Sequence, residues 1–206
     1  MGFVVEISFL FLQKKFMQDF LFYVKLGWEH IISWDALDHQ LFILVLVAVY
    51  FYKDWQKILI LITAFTVGHS VTLALSVLDV FRLPSDLVET LIPITILLTA
   101  VDNILFRKNQ KKLMRINYAL ALVFGLIHGM GFANLARMTM ASEQNIALPL
   151  LGFNIGLELG QITVVLIIMG VLYLLSTFLK FNQKYWIIGV SIVAILLSLQ
   201  MILERI

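Results

Sequence analysis

Six side chains in this sequence pair metal-binding chemistry with costly positions. His69, His128 and Glu158 stand inside long apolar runs, and His30, Asp38 and His39 stand at the entrance to another. Imidazoles and carboxylates ligate divalent transition metals. An ionisable group at membrane depth is expensive, and is kept where it faces a protein interior or a wet cavity. The chain has no cysteine, which excludes disulfides, thiolate sites and cysteine nucleophiles. A metal here must use His, Asp, Glu, amide or hydroxyl ligands, a set that suits zinc, nickel, cobalt or copper(II) without choosing among them. His128 sits in Phe124-Gly125-Leu126-Ile127-His128-Gly129-Met130-Gly131-Phe132, where the glycines admit a neighbouring backbone.

The elements that position these groups are membrane helices. Hydrophobic residues make up 61% of the 206 and charged residues 14%, with mean hydropathy +0.97. Soluble domains run at about 45–50% apolar and about 25% charged, so this chain falls outside that class. A net charge of +2 excludes nucleic acid as a partner and leaves lipid as the surroundings. Met1–Leu12 is interrupted by Glu6 and followed by no small-residue cleavage site, so no removed signal peptide is expected. Glu6 in place of Ser or Thr also argues against N-myristoylation.

Residues 1–29 carry Lys14, Lys15, Asp19, Lys25 and Glu29 among aromatic residues and predict an interfacial or partly inserted helix. Apolar runs over 38–52, 56–78, 87–106, 116–136, 149–179 and 185–203 predict six spans. The expectation is therefore an all-α polytopic transmembrane bundle forming one domain over 1–206, with the six spans in 38–206. Loops 53–57, 107–115 and 180–184 carry nine Lys and Arg, against six in the remaining connections and termini. Basic loops stay on the cytoplasmic side, which places both termini and the His30–His39 segment outside a bacterial inner membrane.

Depth then groups the polar residues. His69 lies about 20 Å and His128 about 18 Å from the basic-loop face, and Glu158 about 13 Å in from the other, on the helical rise. All fall in the outer half of the bilayer. Thr66, His69 and Ser70 share one helix face, as do Asn154, Glu158 and Gln161. Gly152, Gly156 and Gly160 repeat every fourth residue beside that second stripe and permit close helix contact. Thr66, Asn154 and Gln161 are expected as supporting groups, more often interhelical glue than ligands.

Trp28–Phe42 with its Asp38-His39, Thr63–Ala74 around Gly68-His69-Ser70, Gly125–Phe132 around His128, and Phe153–Gln161 around Asn154 and Glu158 resemble, in this order, the HupE/UreJ family. The resemblance runs from about residue 27 to 165. It implies a polytopic membrane protein linked to nickel hydrogenase or urease maturation, commonly a nickel permease. It also implies that His30, Asp38 and His39 form a first-span signature.

Two readings follow. In the first, a permease or metal-handling accessory protein captures an ion at His30, Asp38 and His39 and holds it at His69, His128 and Glu158, with Glu158 taking up a proton on release. In the second, an intramembrane zinc hydrolase or transferase acts on a lipid or lipidated substrate. Glu158 or Asp38 then serves as base, and Ser70 or Thr66 assists. No His-Glu-x-x-His or Gly-x-Ser-x-Gly motif supports that chemistry. A haem between His69 and His128, and a structural subunit of a larger membrane complex, stand behind these two.

Overall fold

The computed structural model describes the backbone of residues 2–105, 110–140, 146–178 and 182–205, and the side chains of 13–51, 53–105, 115–140, 146–178 and 182–205. Among the described residues eight α-helices follow one another: α1 Gly2–Ile32, α2 Leu37–Val47, α3 Trp55–Val77, α4 Ser85–Leu105, α5 Gln110–Gly131, α6 Ala133–Met140, α7 Ala147–Phe178 and α8 Gln183–Leu203. No strand occurs among the described residues. In an apolar solvent a helix satisfies its own backbone, which is why apolar runs of this length take no other form.

Four helices, α3, α4, α7 and α8, are each long and apolar enough to cross a membrane. Two bent pairs qualify as joint spans, Gln13–Ile32 with Trp34–Val47 at 58° and Arg115–Gly131 with Ala133–Met140 at 54°. The chain is thus an integral membrane helical bundle with four to six candidate spans.

The boundaries differ from those expected in two places. The first expected span, 38–52, holds only the 11-residue α2, which rises about 16 Å, roughly half the hydrocarbon thickness. It completes a crossing only as the second limb of the pair that begins in α1. The fourth expected span, 116–136, breaks at Phe132, where α5 gives way to α6. Pro93 lies inside α4. Of the expected loops, Arg107, Lys108, Ser142, Glu143, Gln144 and Lys180, and the side chains of Lys111 and Lys112, lie outside the described residues.

Two close helix pairs organise the bundle, α1 along α7 and α3 along α5. In the first, a side chain on Gly156 would run into the Val24 carbonyl, and one on Gly27 into the Phe153 carbonyl. In the second, a side chain on Gly125 would run into the Phe65 carbonyl and one on Gly68 into the Leu122 carbonyl. Backbones approach this closely only where Cβ is missing on the facing residue. From Phe20 onward α1 is therefore packed along α7, with Tyr23 and Ile31 buried.

After Val47 the chain leaves the helix yet stays inside: Val45, Leu46, Val47, Ala48, Val49 and Tyr50 are all buried. Non-helical backbone at membrane depth is tolerated only within protein or beside a cavity. Asn103 of α4 meets part of the need by donating from Nδ2 to the Val45 carbonyl at 2.7 Å.

Candidate metal centre

The chain has four histidines, and the fold gathers all of them at one end of the bundle. The α3–α5 seam sets His69 and His128 close to each other, since Gly68 and Gly129 flank them and Gly129 faces the His69 carbonyl. The α1–α7 seam brings in His30 from the last turn of α1. After the short turn Trp34–Ala36, the first turn of α2 adds Asp38 and His39. Ring centroids are 4.7 Å apart for His30–His39, 5.8 Å for His30–His69 and 4.6 Å for His39–His128. His39, His69 and His128 are buried, and His30 and Asp38 are half-buried.

Three hydrogen bonds orient this cluster. The Asp38 carboxylate accepts from the His39 backbone N–H at 2.7 Å and from His39 Nδ1 at 2.8 Å. The Phe124 carbonyl accepts from His128 Nδ1 at 2.9 Å. In both rings the Nδ1 proton is thereby fixed and the Nε2 lone pair is left free, the way metal-bound imidazoles are commonly supported. Those atoms find no protein partner: His30 Nε2, His39 Nε2, His128 Nε2 and both ring nitrogens of His69 are buried without a hydrogen bond. Buried polar atoms in native proteins are nearly always paired, so five orphans around one point call for a ligand.

The geometry admits one. His30, His39 and His69 form one group, and Asp38, His39 and His128 another, each offering ligand atoms within 4.8 Å of one another. Metal–nitrogen bonds of 2.0–2.1 Å place tetrahedral ligand atoms about 3.4 Å apart, so modest side-chain closure suffices. His39 belongs to both groups. A cavity of about 220 Å³ opens onto the cluster and is lined by His30, Asp38, His39 and His128 together with Asp35, Glu89 and Arg205. Three carboxylates against one guanidinium give this mouth a cation-attracting field.

Other expected ligands lie elsewhere. Glu158 is not in either group; its carboxylate accepts from Thr63 Oγ1 at 2.8 Å. One turn along, Thr66 Oγ1 donates to Gln161 Oε1 at 3.0 Å, so both pairs fasten α3 to α7. Ser70 Oγ donates to the Thr66 carbonyl at 2.6 Å, within its own helix. Asn154 Oδ1 is buried and unpartnered. The glycine face of α7 is taken by α1, and the Glu158 carboxylate turns to Thr63 of α3.

Aromatic residues that the sequence reading passed over wall the cluster. Phe132 lies 4.3 Å from the His30 ring and stacks on Phe153 at 4.7 Å, while Phe65 and Phe42 lie 5.3 Å and 5.7 Å from His128. Their signal was helical spacing: His39 and Phe42 are i, i+3, and Phe65–His69, Phe124–His128 and His128–Phe132 are i, i+4. Glu89 and Arg205, which come from α4 and beyond the end of α8, had no such signal.

Neither the curated proteins nor the solved structures include a significant match to this sequence. The family model described as HupE / UreJ protein matches residues 7–205, nearly the whole chain. Membrane helices, the order of the histidine-bearing segments and this match agree, and the chain belongs to the HupE/UreJ family.

Proposed function

We propose that the protein takes a divalent transition-metal ion from the Asp35–Glu89 mouth onto its histidine cluster and passes it through the membrane, as a nickel- or cobalt-class permease. The family is associated with nickel and cobalt transport or accessory roles, which supports the ion class. The observation that carries the reading is the set of five unpartnered ring nitrogens on four buried or half-buried histidines.

The cargo supplies positive charge, and the chain supplies everything else. Asp38 compensates one charge directly and holds His39 with its Nε2 turned inward. The two overlapping ligand groups give the ion a path with one shared ligand: it enters at Asp38, His39 and His128, all on the cavity wall, and moves to His30, His39 and His69, of which His69 lies off that wall. Keeping His39 throughout avoids a fully stripped ion between positions, and multi-site binding keeps each site weak enough to leave. Glu158 acts in this scheme by fastening α7 to α3, not as a ligand.

The test is elemental analysis of the purified protein, with ion flux into sealed vesicles, for the wild type and His39→Ala. Wild-type loading and flux with nickel or cobalt, both lost in His39→Ala, is the expected result. Loading without flux, together with turnover of a lipid substrate, overturns it in favour of a zinc hydrolase.

A further inference from the structure

The cavity in front of the histidines holds a charge that a cation path does not need. Arg205 lines the same space as Asp35, Asp38 and Glu89. A guanidinium keeps its proton at any pH a cell meets, so it repels every entering cation. Its seat is also unusual. α8 packs along α4, and beyond the end of α8 the half-buried Arg205 donates from Nη1 to the Glu89 backbone carbonyl. Three acidic residues line the cavity with it, yet among the described residues it makes no ion pair with any of them. Arg82, a few residues before α4 begins, does the ordinary thing and pairs with Asp79.

Of the acidic residues, Asp38 is bonded to His39, while Asp35 and Glu89 are exposed. A guanidinium held on a carbonyl stands in the field of these acids without being consumed by one of them. It acts there as a tethered monovalent cation. A free Na⁺ or K⁺ carries the same charge and gains no more from the carboxylates. It must also give up translational freedom that the tethered group has already lost. A divalent ion gains about twice as much from the same acids. If it is a late first-row ion, it then finds imidazole nitrogens, which reward an alkali ion little.

We propose that Arg205 is a specificity-determining residue of the mouth: it holds the place a monovalent cation would take and yields it to a divalent one. This rests on the permease reading, in which the mouth is the entrance. The guanidinium also offsets one of three negative charges, so the mouth attracts a divalent ion without trapping it short of the histidines.

The experiment follows Ni²⁺ influx by the full chain into sealed vesicles loaded with a fluorescent chelator. Ionic strength is fixed at about 0.15 M, with either Na⁺ or the bulky N-methylglucamine cation in the bath. The wild-type KM for Ni²⁺ is expected to differ by less than about twofold between the two baths. In Arg205→Gln, KM should fall about tenfold in N-methylglucamine and return to about the wild-type value in Na⁺, which now fills the place of the guanidinium. Arg205→Lys keeps a tethered charge and should restore indifference to Na⁺. If Arg205→Gln matches the wild type in both baths, the proposal is overturned and Arg205 is only a tie between α8 and α4. If Arg205→Lys behaves like Arg205→Gln, it is overturned as well, because charge is then not what counts. Glu89→Gln covers a folding failure of Arg205→Gln: it should raise KM about threefold in both baths, and an unchanged or lowered KM overturns the proposal. Absence of wild-type influx overturns the permease reading instead, and Ni²⁺ binding titrated in the two baths then carries the same comparison for Arg205.

Discussion

The α3–α5 and α1–α7 seams are built alike and do different things. Each joins two helices through glycines whose Cβ positions are filled by the partner's backbone carbonyls. At α3–α5, the residues beside the glycines are His69 and His128, so close approach concentrates imidazoles. At α1–α7, the glycines of α7 consume the face that meets α1, and the polar stripe beside them turns to Thr63 and Thr66 of α3. A seam of small residues thus sets how near two helices come. What lies next to the seam decides whether a site or a fastening results.

The largest effect that breaks this comparison comes from filling the seams. Gly125→Val and Gly156→Val should each cost about 3 kcal/mol or more, beyond ordinary overpacking, because backbone atoms cannot step aside. Detergent unfolding of the purified variants measures it. If both cost less than a surface substitution, the two interfaces are not close-packed.

Next comes the site itself. His39→Ala should reduce ion affinity by about 100-fold or more, exceeding the 10–100-fold typical of supporting residues, since both ligand groups lose a member. Asp38→Asn, which keeps the shape but weakens the hold on His39 Nδ1, should cost about 10–100-fold. Titration calorimetry with Ni²⁺ ranks the two, and the reverse order would make Asp38 the principal ligand.

Glu158→Gln sharpens the contrast between seams. Ion affinity should change by less than about threefold while stability falls by about 0.6–1.7 kcal/mol, the range for interhelical hydrogen bonds in membranes. A collapse of binding would return Glu158 to the ligand set.

The smallest effect lies outside the spans. Asp54 is bonded to Lys57 at 2.5 Å, and this partner holds its carboxyl below the ordinary value. A depressed carboxyl stabilises the fold above its unfolded pKa, and the gain is lost as pH falls through the folded value. The pair is solvent-exposed in part, so the expected contribution is about 0.5 kcal/mol or less, visible as a slightly flatter acid limb in Asp54→Asn.

Much of the site was legible in advance. His30, Asp38, His39, His69 and His128 were each marked by chemistry at an improbable depth, and the structure brings these five together. Helical rise gives depth, so their common level was accessible. Azimuth was not, because it depends on which face each neighbour occupies, and the Glu158 carboxylate is found against Thr63 rather than in either ligand group. The break after Val47 was hidden too: Leu41–Tyr52 reads as one apolar run, and the buried turn is held by Asn103, a residue more than 50 positions away.

Sequence alone determined that this chain is a helical membrane protein, that no thiolate is available to it, and how far along their helices its imidazoles sit. These follow from local properties: hydropathy, residue type and a fixed rise per residue. The tertiary structure decided which polar groups meet and where the spans bend. Those depend on how helix faces compete for neighbours, and that competition is settled only when all of the helices are packed.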